Sequence, residues 1–164
     1  MRIDRIEEYL SYYARIRERT ERVIAVVPDE HYDWSYKEGK FTIADIIRHI
    51  ANIERWVYVE CVLGRPAAYR GCGKAYADAP GAVRKYLRDT YQESTALLST
   101  LSEAYLQKKV LSATGQPITC WKWLRALTEH EIHHRAQLYI YIGMLGVETP
   151  PIFGSTSEKL IVHR

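Results

Sequence analysis

Apolar residues recur at spacings of three and four from Ile6 through Tyr9, Leu10, Tyr13, Ile16, Thr20, Val23, Ile24 and Val27, one continuous stripe that predicts a long amphipathic helix ended by Pro28. A polar loop follows. Thr42-Ile43-Ala44-Asp45 then has the form of a capping box, and the helix it opens carries Ile46, His49, Ile53, Trp56 and Val57 on one side as far as Leu63, before Gly64. The stretch GRPAAYRGCGKAYADAP, from Gly64 to Pro80, is rich in glycine, alanine and proline and reads as a loop long enough to cover something. A third stripe joins Val83, Tyr86, Leu87, Thr90, Ser94, Leu97, Leu98, Leu101 and Tyr105, uninterrupted by proline or glycine. Two short β-tolerant pieces around Thr114-Gly115 predict a small hairpin, and a last helix runs from Thr119 or Cys120 to Leu145-Gly146, where Pro150-Pro151 forbid resumption. Four long amphipathic helices without an internal repeat or linker predict an all-α protein, an up-down four-helix bundle forming a single domain over residues 1–164, with a short β-hairpin before the last helix.

Composition narrows the function. A chain of 164 residues that is 47% hydrophobic can bury a core without staples. Its formal charge of +3, from 23 basic and 20 acidic residues, is dispersed and leaves no nucleic-acid footprint. Three cysteines, Cys61, Cys72 and Cys120, show no C-x-x-C spacing, which argues against a disulfide framework and a thiolate zinc site. The first residues are charged, and no run approaches the roughly 18 apolar residues of a membrane span. A cytoplasmic protein with no membrane partner is the expectation.

The candidate chemistry lies in the last helix, where HEIHH, His130 to His134, satisfies the H-E-x-x-H pattern of zinc metalloproteases. With about 100° between successive residues, His134 falls about 40° from His130, and Trp123, Leu127, Gln137, Tyr141 and Leu145 lie within about 60°. Both histidines therefore sit in the apolar stripe as read from sequence, with His133 at its edge. On the second helix Ile46, Ile53 and Trp56 bracket His49 in the same way. Buried imidazoles need partners, and three from two helices can share one metal ion with a coordination position left open. Glu131, read off the stripe and one turn from Arg135, is expected to form a helix-surface ion pair rather than to act as a protease base. A peptide cleft with an edge strand is also missing from the pattern.

Other residues attract plainer readings. Arg65, Arg70 and Lys74 are loop charges, available to a carboxylate-bearing substrate but expected to be solvated. Cys120 reads as packing, Tyr13 and Tyr141 as core or pocket lining, and Ile132 and Tyr139 as an outward apolar surface suited to a homodimer contact.

Two segments carry a resemblance. FTIADIIRHIANIERW resembles the second-helix signature, and HEIHHRAQLYIYIGMLGVETPPIFG the last helix and tail, of the DinB-like (DNA-damage-inducible) family of four-helix-bundle metalloproteins. The family often has glycine where this chain has Ala136. The resemblance implies a divalent metal ion, zinc or nickel, held by His49, His130 and His134, and a homodimer. It also implies a small-molecule substrate. In relatives with an assigned activity, such as bacillithiol S-transferases and mycothiol-dependent maleylpyruvate isomerases, the ion activates a low-molecular-weight thiol. Metal-dependent S-transfer or isomerisation is thus the leading expectation. A non-catalytic metal- or ligand-binding bundle comes second, and a metal-dependent hydrolase third.

Overall fold

A computed structural model of the chain describes residues 2–155 and 160. The first helix, α1 (Ile6–Ala25), turns its Ile6, Tyr9, Tyr13, Ile16, Val23 and Ile24 stripe inward, as the spacing requires. Helix α2 (Ile43–Ile53) is opened by the full capping box: the Thr42 hydroxyl accepts from the Asp45 amide, and the Asp45 carboxylate accepts from the Thr42 amide. It then continues through a π-helical turn (Glu54–Val59) into a last α turn, α3 (Glu60–Val62). The π turn is absent from the sequence expectation of one regular helix to Leu63. Its wider winding adds one residue between Glu54 and Val59, which keeps Val59 and Val62 on the buried face already occupied by Ile50 and Glu54.

Helix α4 (Pro80–Leu98) begins with proline in its first turn, where the missing amide costs nothing, and buries Val83, Leu87, Thr90, Ser94 and Leu98. The single stripe expected to reach Tyr105 is broken at residues 99–102. Ser102 starts a separate short helix, α5 (Glu103–Leu106), by capping the Tyr105 amide with its hydroxyl, so a local side-chain bond outcompetes helix continuation. Strands β1 (Lys109–Leu111) and β2 (Pro117–Thr119) pair antiparallel around Gly115, which takes φ +78, and form the expected hairpin. Helix α6 (Cys120–Met144) closes the fold and stops at Gly146, with φ +71.

The result is a four-helix bundle in which α1 packs on α6 and α2 on α4, with α6 also touching α2. Among the described residues, no helix is long and apolar enough to cross a membrane. Two apolar clusters fill the interior. Val23, Ile43, Ile47, Ile50, Leu87, Leu138 and Ile142 belong to one, and Ile6, Tyr9, Ile16, Val59, Leu98, Cys120, Leu124 and Leu127 to the other. On each long helix the residue between the two sets is polar: Arg17 and Thr20 on α1, Glu54 after α2, Ser94 on α4, Glu131 on α6, every one buried. Ile132 and Tyr139, expected on an outward face suited to a dimer contact, are half-buried against these clusters; the large exposed apolar side chains of α6 are Ile140 and Met144.

Candidate metal centre

The three histidines meet in the groove between α2 and α6. One ring nitrogen of each of His49, His130 and His134 lies within 4.8 Å of the others, and among the described residues no carboxylate or thiol completes the group. The Nε2 atoms of His49 and His130 are 3.3 Å apart. Two nitrogens each bound at 2.0–2.1 Å to one tetrahedral ion would stand roughly 3.3 Å apart, so the spacing fits a shared metal. The rings of His134 and His130 are 4.4 Å apart, and those of His134 and His49 4.5 Å, both edge to face.

The outer nitrogens are held in two of the three cases. His134 Nδ1 donates to Gln137 Oε1 at 2.7 Å, which leaves its Nε2 lone pair free, while the Gln137 amide group reaches exposed His133 at 3.2 Å. His49 Nδ1 lies 2.9 Å from the Tyr69 hydroxyl. His130 Nδ1 is buried without a partner. The sequence reading puts His130 and His134 in the middle of the core-facing stripe and points His49 inward; the structure buries His134 and leaves His49 and His130 half-buried. Phe41 lies against His49 with ring centroids 5.3 Å apart, and Tyr58 against His130 at 5.9 Å. A cavity of about 300 Å³ adjoins this cluster, lined by Tyr36, Lys40, Phe41, Gln137 and Tyr141 among others.

Burial disfavours the imidazolium form first, and the neighbouring histidines repel a second charge. His49 is pulled down to about 4 and His130 to about 3, and His134 is lowered too, burial outweighing its bond to Gln137. The cluster is therefore neutral at pH 7, the form in which imidazole binds metals. A sign follows for stability. Unfolded histidines take up protons near pH 6.5 while the folded ones refuse them, so the unfolded state binds more protons and metal-free stability falls as pH drops from about 6.5 toward 4. Thermal melts of the metal-free protein at pH 7, 5.5 and 4.5 are expected to show this loss, and His130→Leu to flatten it; parallel slopes for the two proteins would contradict the assignment.

Glu131 overturns the sequence expectation. It is 0% exposed and faces away from the histidines, accepting from the Thr20 hydroxyl at 2.7 Å and lying 3.0 Å from Arg17 Nη2. The same guanidinium bonds Glu54, which also accepts from the Tyr13 hydroxyl at 2.8 Å. Arg135, expected to pair with Glu131 on the surface, is buried and donates to the Ile16 carbonyl at 3.3 Å. Tyr13 is thereby excluded from the metal site, whereas Tyr141 does line the neighbouring cavity. Arg65 and Arg70 are exposed loop residues, and Lys74 pairs with Asp33 at 2.7 Å. Cys120 is packed in the core with its thiol pushed up to about 12 by burial, as a packing residue should be.

Helical bundle and histidine cluster together define a protein with a three-nitrogen candidate metal site between its second and last long helices. The chain belongs to the DinB superfamily, whose sequence model matches residues 12–138. It is 23% identical over 149 residues to the uncharacterized protein YjoA of Bacillus subtilis strain 168, covering 89% of this chain and 94% of that one. A DinB-like protein from Bacillus cereus ATCC 10987 shares the fold with a TM-score of 0.77 at 18% identity, over 92% of this chain and 99% of its own. YfiT from Bacillus subtilis, described as a probable metal-dependent hydrolase with an unusual four-helix bundle topology, superposes with a TM-score of 0.67 at 19% identity, over 90% and 91% of the two chains.

Proposed function

We propose that His49, His130 and His134 hold a divalent ion, zinc or nickel, and that the chain is a metal-dependent enzyme activating a low-molecular-weight thiol for S-transfer or isomerisation. The observation that carries the reading is the convergence of three neutral imidazoles with no fourth protein ligand among the described residues. A structural site is closed by its protein ligands, whereas a catalytic one keeps a position for water or substrate. An ion held there would depress the pKa of a bound thiol and supply a nucleophile at neutral pH. The protein's own groups do the rest. Gln137 orients His134, and Phe41, Tyr36 and Tyr141 present an aromatic wall to a substrate in the adjoining cavity, with Lys40 at its edge.

Hydrolysis is the second reading, favoured by the description of YfiT. It cannot use Glu131 as the H-E-x-x-H pattern would, because that carboxylate is locked to Arg17 and Thr20 inside the bundle. The decisive assay follows conjugation of a low-molecular-weight thiol to an aryl halide, before and after chelation and metal restoration. A rate lost on chelation and recovered with zinc or nickel is expected. Metal-dependent ester cleavage without thiol conjugation would favour the hydrolase. Stoichiometric metal with neither activity would make the chain a binding protein.

A further inference from the structure

We infer that Tyr69 is a positioning residue for His49: its phenol oxygen accepts the Nδ1 hydrogen, so that the Nε2 lone pair of His49 faces His130 and His134. The loop that carries Tyr69 is fastened to the helix that carries His49. From α2, Arg48 donates through Nε to the Cys72 carbonyl at 2.6 Å and through Nη1 to the Ala77 carbonyl at 2.8 Å, while Asp45 of the capping box holds the same guanidinium at 2.6 Å. One turn on, Asn52 donates to the Gly71 carbonyl at 2.7 Å and is itself held by the Tyr86 hydroxyl at 2.5 Å. Arg48 and Asn52 are 1% and 0% exposed. Two buried polar side chains from the His49 helix thus grip the loop on the C-terminal side of Tyr69, and the Ala68 amide bonds the Trp56 carbonyl at 2.7 Å on its other side. The phenol cannot drift from the imidazole without breaking several buried bonds.

The direction of the His49–Tyr69 bond follows from what surrounds it. If the phenol oxygen accepts from His49 Nδ1, His49 Nε2 accepts in turn from His130 Nε2 across 3.3 Å. The buried Nδ1 of His130 is then a bare acceptor. In the opposite arrangement it would be a stranded N–H donor, the costlier and rarer kind of buried orphan. The first arrangement is also the one in which His49 presents its inner nitrogen as a ligand, and a partner that fixes tautomer and rotation commonly changes metal affinity by about 10–100-fold.

The tautomer stands without a metal; only its consequence rests on the metal reading. Long-range nitrogen–proton NMR on the metal-free protein reads it directly. His49 is expected in the Nδ1–H form in the native protein and as a mixture in Tyr69→Phe, with zinc affinity in that variant weakened about 10–100-fold in a chelator competition. An Nε2–H form of His49 in the native protein overturns the inference, as does a Tyr69→Phe variant with native tautomer or native zinc affinity. Should native protein bind no zinc, the metal reading fails, and the tautomer of His49 still decides the role of Tyr69.

Discussion

Replacing Arg17 with methionine is expected to lower the unfolding free energy by about 3–5 kcal/mol, the usual cost of stripping one partner from a buried ionic group. Arg17 is 2% exposed and is the cation that both Glu54 and Glu131 face in the middle of the bundle. Methionine fills similar space but leaves two carboxyl groups facing each other without it. A chain of this length should melt roughly 6–20 °C lower, at about 2–4 °C per kcal/mol. The effect also has a pH sign. Burial raises Glu54, and Arg17 is the chief group opposing that rise. Without the guanidinium, Glu54 keeps its proton to higher pH than in the unfolded chain, so the variant loses stability as pH rises and its deficit widens from pH 5 to pH 8. Equilibrium denaturation at those two pH values checks both statements. A neutral substitution would show that the polar layer adds nothing to stability.

The variants His49→Ala and His134→Ala should each lose more than about 100-fold in affinity for zinc or nickel, beyond the 10–100-fold typical of an outer partner. Each removes one of three nitrogens, and no neighbouring carboxylate or thiol among the described residues stands ready to replace it. The alanine variants should fold, since neither histidine belongs to the apolar clusters that fill the bundle. His133→Ala is the matched control: that ring is exposed and touches the Gln137 amide rather than the inner nitrogens, so its affinity should stay near native. Competition titration against a chelator of known affinity measures all three.

Much of this architecture was legible before any coordinates. The stripe of α1, the capping box at Thr42, the hairpin at Gly115 and the stop at Gly146 are local signals, and local physics decides them. The His49, His130 and His134 grouping also followed from helical phase. Glu131 did not, because the sequence reading centres the inward face of α6 on His130. Taking Glu131 as zero puts Leu124, Leu127, Leu138 and Ile142 within about 40°, the truer axis, and on it the histidines fall to one flank. The signal was present but blurred, since that face also carries buried Thr128 and Arg135. Its partner Arg17 lay in the first helix, where a charged residue inside a stripe is ordinarily a solvated one. The role of Tyr69 was out of reach for another reason: a glycine-rich loop has no periodicity, and only the bonds from Arg48 and Asn52 bring it over His49.

The arginine and glutamine that follow the H-x-x-x-H pair now have physical work assigned. Arg135 ties α6 to the Ile16 carbonyl of α1, and Gln137 orients His134. The most direct test of the metal assignment is a crystal of the zinc-loaded protein with anomalous data collected across the zinc edge. One ion per chain is expected, about 2.0–2.1 Å from an imidazole nitrogen of each of His49, His130 and His134 and with no further protein ligand. An ion bound elsewhere, or none at these three rings under saturating zinc, would contradict the assignment.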